Sequence, residues 1–518
     1  MKLNYIFTTI LALLAIPTWA GDVAINETNF PDANFRNYLL AQDYGQDRFL
    51  TEEEISKITS IEVDFKQISS LQGIEFFTNL TFLACDDNQL TSLDVSHNTA
   101  LTKLSCSYNQ LTSLDVSGTT ALTRLDCSNN QLPSLDVSHN NALAELSCSY
   151  NQLTSLDVSQ NTALTELSCF NNQLTSLDVS QNMALAYLDC GRNQLASLDV
   201  SQNNALAELS CSYNQLTSLD VSQNTALTLL HCYDNQLTSL DVSKNTVLTT
   251  LYCGWNQLTS LDVSQNTALT ELSCSSNQLT SLDVSHNTAL TYLDCRYVGQ
   301  LTSLDVSHNT ALTGLFCFNN QLTSLDVSQN TALTYLGCSN NQLTSLDVSQ
   351  NTALTSLDCS NNQLTSLDVS QNTALEDLSC DSNQLTSLDV WNNTALNTLW
   401  CCNNQIKGTE MYNLVNSLPI NDIENKQFFV YGGENDGNVC TTVQVAVAKS
   451  RGWTPWYYYE ETEEEGEYAG SDPSGIEDVT ISGIEDAPVY NLSGQRLSAP
   501  QKGINIVNGK KVISLRSK

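Results

Sequence analysis

Positive charge is scarce in this chain: 20 Lys and Arg stand against 56 Asp and Glu, a formal net charge of −36. A nucleic-acid backbone or an anionic membrane would repel such a surface, so neither is its main partner. A basic protein surface or a cation suits it better. Long apolar runs are missing after residue 16, so no transmembrane helix is expected. Unlike residues that could converge for catalysis are missing too. There is no Ser-His-Asp order and no Gly-rich phosphate loop, and the residues that recur do so as identical types in rows. An enzyme is not expected.

What the chain has is a repeated phrase, Leu-Thr-x-Leu-x-Cys-x-x-Asn-Gln-Leu-Thr-Ser-Leu-Asp-Val-Ser-x-Asn-Thr-Ala, clear over Leu101–Ala121 and again over Leu122–Ala142. Cysteines recur every 21 residues from Cys85 to Cys295, one residue is inserted, and the beat resumes at Cys317 and runs to Cys401. A fixed period of this size means a solenoid, whose core grows by stacking coils. Leu104-Ser105-Cys106-Ser107 and Leu114-Asp115-Val116-Ser117 both alternate apolar and polar residues, which predicts a strand on each side of every coil. Coils stacked ~4.8 Å apart would make a rod of roughly 75 Å.

Asn88, Asn109 and their equivalents to Asn404 mark one corner, where an amide can bond turn backbone. A second row from Asn98 marks the other, with Thr119 as its exception, and the insertion at Tyr297-Val298-Gly299 predicts a local bulge. Sixteen of the 18 cysteines fall at one position and read as a buried ladder rather than a disulfide framework. Cys402 and Cys440 lie outside it and are candidates to pair.

The segment Leu101-x-x-Leu104-x-Cys106-x-x-Asn109-x-Leu111, echoed by Leu111-x-x-Leu114-x-Val116, resembles the leucine-rich-repeat family in its nested 21-residue form, called IRREKO. The resemblance implies a β-rich parallel solenoid with a small helical N-terminal cap, an α+β C-terminal cap and a β-sandwich-like tail. Residues 1–20 read as a signal peptide, 21–57 as the helical cap, 58–406 as the solenoid and 407–459 as the second cap. Residues 460–475 read as an acidic linker and 476–518 as a tail similar to the sorting domains of type IX secretion substrates. That tail implies a secreted protein or one at the outer-membrane surface of a Gram-negative bacterium.

Within the first cap, residues 43–54 resemble an EF-hand, with Asp43, Asp47, Thr51 and Glu54 as the oxygen donors. Gly45 replaces a carboxylate and Arg48 stands where the turn wants glycine, so the loop is either a calcium site or a retained scaffold. No other cofactor is expected. His286 and His308 fall on neighbouring coils and read as solvated surface residues before metal ligands.

A row of aspartates, Asp94 to Asp389, must be offset by hydroxyl bonds, raised pKa values or cations. The phrase that carries it barely varies, whereas aromatics collect around the cysteine-bearing strand. Tyr187, Tyr213, Tyr233, Tyr252 and Trp255 are the first candidate binding residues. Tyr292, Phe316, Phe318 and Tyr335 complete them. In leucine-rich-repeat proteins this strand lines the recognition face, so the resemblance implies protein–protein recognition or adhesion. Carbohydrate binding is the alternative, and a structural spacer the second.

Overall fold

The computed structural model describes residues 21–471 except 422, 460 and 461, together with the backbone of four strands between 489 and 514. The segment read as a signal peptide lies outside the described residues. The N-terminal cap holds β1 (Val23–Ala24), α1 (Ala33–Leu40), β2 (Phe49–Leu50) and α2 (Glu52–Lys57). Asp32 caps α1 by accepting from the Asn34 and Phe35 amides. Its second oxygen accepts from the Ser69 amide and hydroxyl, both at 2.8 Å, which ties the cap to the first coil.

The solenoid sheet begins at β3 (Ser60–Glu62) and β4 (Phe82–Ala84). It continues through β5 to β19, three residues each, from Lys103–Ser105 to Thr398–Trp400. Neighbours pair in parallel with equivalent positions opposite one another, as in Leu104 against Leu125. Every coil buries the same set: Leu104, Cys106, Leu111, Val116 and Leu122 in one coil are all within 1 % of full burial. Close packing of this kind makes each position sensitive to a lost methylene.

The second predicted strand does not form. Leu114–Val116 and its equivalents make no ladder; on that side an isolated bridge joins Asp94 and Asp115. Asp115 Oδ1 accepts from the Ser117 amide at 2.9 Å, a local turn that bends the chain away from extended pairing, and like charges stacked along the row oppose it further. Strands therefore occupy one side of the coil.

The asparagine corners hold the stack. Asn109 Nδ2 donates to the carbonyls of Cys106 and Ser107 in its own coil and of Cys85 in the coil before, while Oδ1 accepts from the Leu90 amide. In the second row Asn140 Nδ2 donates to Val116 and Thr119 carbonyls. At the insertion Val298 fills the asparagine's place, 2 % exposed, and Gly299 at φ 78° turns the bulge. Strands on either side stay in register, Leu293 against Leu315.

After α3 (Thr409–Ser417), β20 (Lys426–Tyr431) joins β19 in parallel, and β21 (Trp453–Tyr459) follows α4 (Thr442–Ser450). Asn438 extends the corner row by accepting from the Ile406 amide and donating to the Cys401 carbonyl, both at 2.8 Å. The acidic stretch read as a linker contains an edge strand, β22 (Glu464–Glu467), antiparallel to β21. The backbone of β23 (Val489–Tyr490), β24 (Arg496–Leu497), β25 (Gly503–Val507) and β26 (Lys510–Ser514) forms a separate antiparallel sheet.

Candidate recognition surface

The cysteines are structural. All sixteen of the ladder are fully buried, and several thiols point at a carbonyl one coil on, as Cys85 Sγ does at Ser105 O, 3.3 Å away. Burial pushes each thiol up, Cys211 to about 12. A thiol held protonated is neither a nucleophile nor a ready metal ligand. Cys440 is a buried thiol, so the bridge expected between it and Cys402 is not formed. The aspartate row resolves in the same way. Ser138 donates its amide and hydroxyl to Asp136, holding that carboxyl below its usual range, and the other coils repeat the arrangement.

The EF-hand-like loop keeps the fold of such a loop better than its donors. Arg48 has φ 71°, the left-handed turn that glycine normally supplies. Asp47 Oδ1 accepts from the Phe49 amide, and Thr51 and Glu54 form a reciprocal capping box in which Glu54 Oε2 accepts from the Thr51 amide and hydroxyl. Asp43 and Glu54 line a surface recess with Lys57, whose ammonium pairs with Glu53. Among the described residues no group of three or more His, Cys, Asp and Glu stands together as a metal cage. Three of the four expected donors are already engaged within the loop, Asp47 with the Phe49 amide and Thr51 with Glu54. His286 and His308 each face their own preceding serine hydroxyl at 3.2 Å.

The nine aromatic candidates divide into two parallel rows instead of one face. Tyr187, Tyr252, Tyr292, Phe316 and Tyr335 lie on the strands Tyr187–Asp189, Thr250–Tyr252, Tyr292–Asp294, Gly314–Phe316 and Tyr335–Gly337 and point outward on either side of an inward leucine. Tyr213, Tyr233, Trp255 and Phe318 lie beyond the strand end, at the corner.

In the strand row the rings make contact. Phe316 stacks on Tyr335 with centroids 4.5 Å apart and 20° between planes, and Tyr292 lies 5.2 Å from Phe316. Glycines make room for them: a Cβ on Gly314 would meet Phe316 at 3.3 Å, and one on Gly337 would meet Tyr335 at 3.1 Å. His231 stacks on Tyr252 at 4.6 Å, and the Tyr252 hydroxyl donates to the Glu271 carboxylate. Burial pushes the Asp189 carboxyl up, against a bond from the Gly191 amide. His231, Glu271 and the two glycines escaped the sequence reading because none is aromatic in the expected sense or unusual in spacing.

The row continues past the repeats. Trp400 stacks on Phe429 at 3.6 Å, Tyr458 meets Trp400 edge-on at 5.2 Å, and Trp456 lies 6.0 Å from Phe429. The aromatic-rich run Trp453-Thr454-Pro455-Trp456-Tyr457-Tyr458-Tyr459 carries that signal.

The corner row has a backbone peculiarity. The second residue after each ladder cysteine has φ near +50°, from Asp87 to Asn403. Asn129, Asn171 and Asn340 take that conformation cheaply, whereas a bulky L-residue there costs about 1 kcal/mol. Tyr108, Tyr150, Arg192, Tyr213, Trp255 and Tyr297 occupy it nonetheless. Their neighbours continue the line: Tyr150 lies 5.3 Å from Phe170, Arg192 sits 4.5 Å over Tyr213, and Tyr213 lies 4.7 Å from Tyr233.

One strand per coil, an inward leucine and cysteine, and asparagine corners define a leucine-rich-repeat solenoid. Residues 331–373 match the family described as leucine-rich repeats in two copies, and residues 30–161 match the leucine-rich-repeat domain of the endo-beta-N-acetylglucosaminidase EndoS. The functional domain of InlJ from Listeria monocytogenes, described as including a cysteine ladder, is 41 % identical. That similarity covers 73 % of this chain and 83 % of that one, with a TM-score of 0.68. A leucine-rich-repeat protein of Leptospira interrogans is 28 % identical over 64 % of this chain and 92 % of its own, with a TM-score of 0.58. The chain belongs to the bacterial leucine-rich-repeat family of the cysteine-ladder internalins. Its match to curated Internalin J of Listeria monocytogenes serotype 4b (strain F2365), 45 % identical over 71 residues, takes in 14 % of this chain and 8 % of that protein's length. Among the described residues no helix is long and apolar enough to cross a membrane.

Proposed function

We propose that this chain is an exported, non-enzymatic recognition protein that grips a protein partner with the outward side chains of the solenoid sheet, centred on Tyr292, Phe316 and Tyr335. The observation that carries this reading is the stacked cluster itself. Three rings sit in contact on adjacent strands, with glycines beside them that let the rings lie across the sheet. Clustered, part-buried aromatics are the usual anchors of protein interfaces. Glu271 sits opposite Tyr292 at the edge of the cluster, and the chain carries −36 overall, so the partner surface is basic. The relationship to internalins supports adhesion at a bacterial surface, and the tail's resemblance to type IX sorting domains supports export from a Gram-negative cell.

The test exchanges anchors for residues that other coils already carry. Ser147 and Ser356 hold the positions equivalent to Phe316 and Tyr335. The double change Phe316→Ser with Tyr335→Ser should fold and lose at least tenfold in affinity for the captured partner. Capture unchanged in a folded double variant defeats the reading.

A further inference from the structure

The corner row serves a second purpose that strand-face recognition does not require. We propose that Tyr108, Tyr150, Tyr213, Trp255 and Tyr297 form a track for a neutral polysaccharide lying along the rod. These five residues sit at φ 50° to 55°, a conformation that disfavours bulky side chains and that asparagine fills in other coils. They are not core residues, since Tyr108 is 60 % exposed, Trp255 63 % and Tyr297 52 %. Exposed rings in a disfavoured backbone conformation point to a use outside the fold.

The track is one ring wide. In four of the five coils whose αL position carries a ring, the residue before it is small, as in Ser107-Tyr108, Ser149-Tyr150, Ser212-Tyr213 and Gly254-Trp255; Arg296 precedes Tyr297. Where the αL position is Asn171 or Asp234, the ring moves back one place, to Phe170 or Tyr233. Such a line matches a straight chain better than the two-dimensional surface of a folded protein. Rings two coils apart, such as Tyr108 and Tyr150, are spaced by about 10 Å, the order of a disaccharide's length.

An extended peptide would pair with free main-chain groups, but the corner has used its own. The amides of Tyr108, Tyr150 and Trp255 donate to Ser128, Phe170 and Ser275 carbonyls at 2.8 to 3.0 Å. What remains on offer is ring faces and, two residues on, an exposed glutamine amide in each coil, such as Gln110, Gln152, Gln215 and Gln257. An aromatic face for the C–H side of a pyranose and an amide for its hydroxyls suit an uncharged sugar. The chain's −36 disfavours an anionic polymer.

Affinity electrophoresis of the full chain through gels containing hydroxyethylcellulose, glucomannan or pullulan tests this. At least one polymer should retard the protein, and carboxymethylcellulose, its anionic counterpart, should retard it less. Tyr150→Asn, Tyr213→Asn and Trp255→Asn combined should lower that affinity at least fivefold with no fall in Tm, and Trp255→Asn alone should lower it measurably. The strand-face pair Phe316→Ser and Tyr335→Ser should leave it unchanged, which separates this track from the protein-binding face. No retardation by any of the three neutral polymers overturns the proposal. So does retardation that survives the triple change, or loss of a captured protein instead of a polysaccharide when the corner is altered.

Discussion

Asn109 reaches back across a coil boundary to the carbonyl of Cys85, 2.9 Å from its amide nitrogen, while its oxygen accepts the Leu90 amide at 2.9 Å. One buried side chain thus closes its own turn and fastens it to the coil before. Alanine would strand the Leu90 amide away from water and take one of their donors from the Cys85, Cys106 and Ser107 carbonyls. Asn109→Ala should cost about 2–4 kcal/mol, read as a lower guanidinium midpoint. Asn140 makes a useful comparison because its Oδ1 is buried without a partner. Asn140→Ala removes fewer bonds and should cost less; equal losses would show that the two corners are held alike.

The thiol ladder makes stability depend on alkaline pH. In the unfolded chain a cysteine titrates near ~8.5, whereas burial raises Cys211, Cys253 and Cys317 to about 12. A folded pKa above the unfolded one means the stabilisation is complete below the unfolded value and is lost as pH rises toward the folded one. Tm should therefore hold steady from pH 7 to about 8.5 and fall above it. The fall should shrink when several ladder cysteines are replaced by alanine in one variant. A Tm that is flat to pH 10.5 contradicts a ladder of protonated thiols.

How far the molecule could be read in advance varies with the physical question. The cysteine beat was enough for the coil, because a strict period leaves a stacked solenoid as the way to bury it. Leu114–Val116 was misread because alternation reports which side chains are buried and is silent on whether backbones pair. Asp115 turns the chain locally through Ser117, and that bond is invisible in a pattern of apolar residues. The aromatic candidates were gathered into one face because Tyr252 and Trp255 are three residues apart in sequence, yet the strand ends between them. Beyond Cys401 no repeat supplies register, so the sequence alone does not show that Trp456 and Tyr458 continue the strand face or that Glu464–Glu467 is a strand.

The capping box at Thr51 and Glu54 predicts a loop that holds its shape without an ion. Calcium added to the full chain should give no binding heat, and chelator should leave Tm where it was. Thr51→Ala should nevertheless destabilise the N-terminal cap by about 1 kcal/mol, since the Glu54 amide loses its acceptor. Hydrogen exchange of α2 amides would report it. Saturable calcium heat with a matching rise in Tm would return Asp43, Asp47, Thr51 and Glu54 to the role of ligands.

The corner tyrosines carry a stability cost that can be measured apart from any ligand. Tyr213 has φ 55°, close to the 54° of Asn171 and the 52° of Asn340, so asparagine at 213 meets a backbone that other coils already build around it. Tyr213→Asn also gives up the contacts of a partly buried ring with Tyr233 and the Arg192 guanidinium, a loss of roughly 0.5 kcal/mol that offsets about half the gain. Trp255→Asn has no such compensation to lose at 63 % exposure and should stabilise more, by up to about 1 kcal/mol. The order of the two midpoints, Trp255→Asn above Tyr213→Asn above the parent, follows if backbone conformation dominates. A parent more stable than both would mean that the rings earn their place by packing, and the case for a ligand on the corner would lose its strongest physical support.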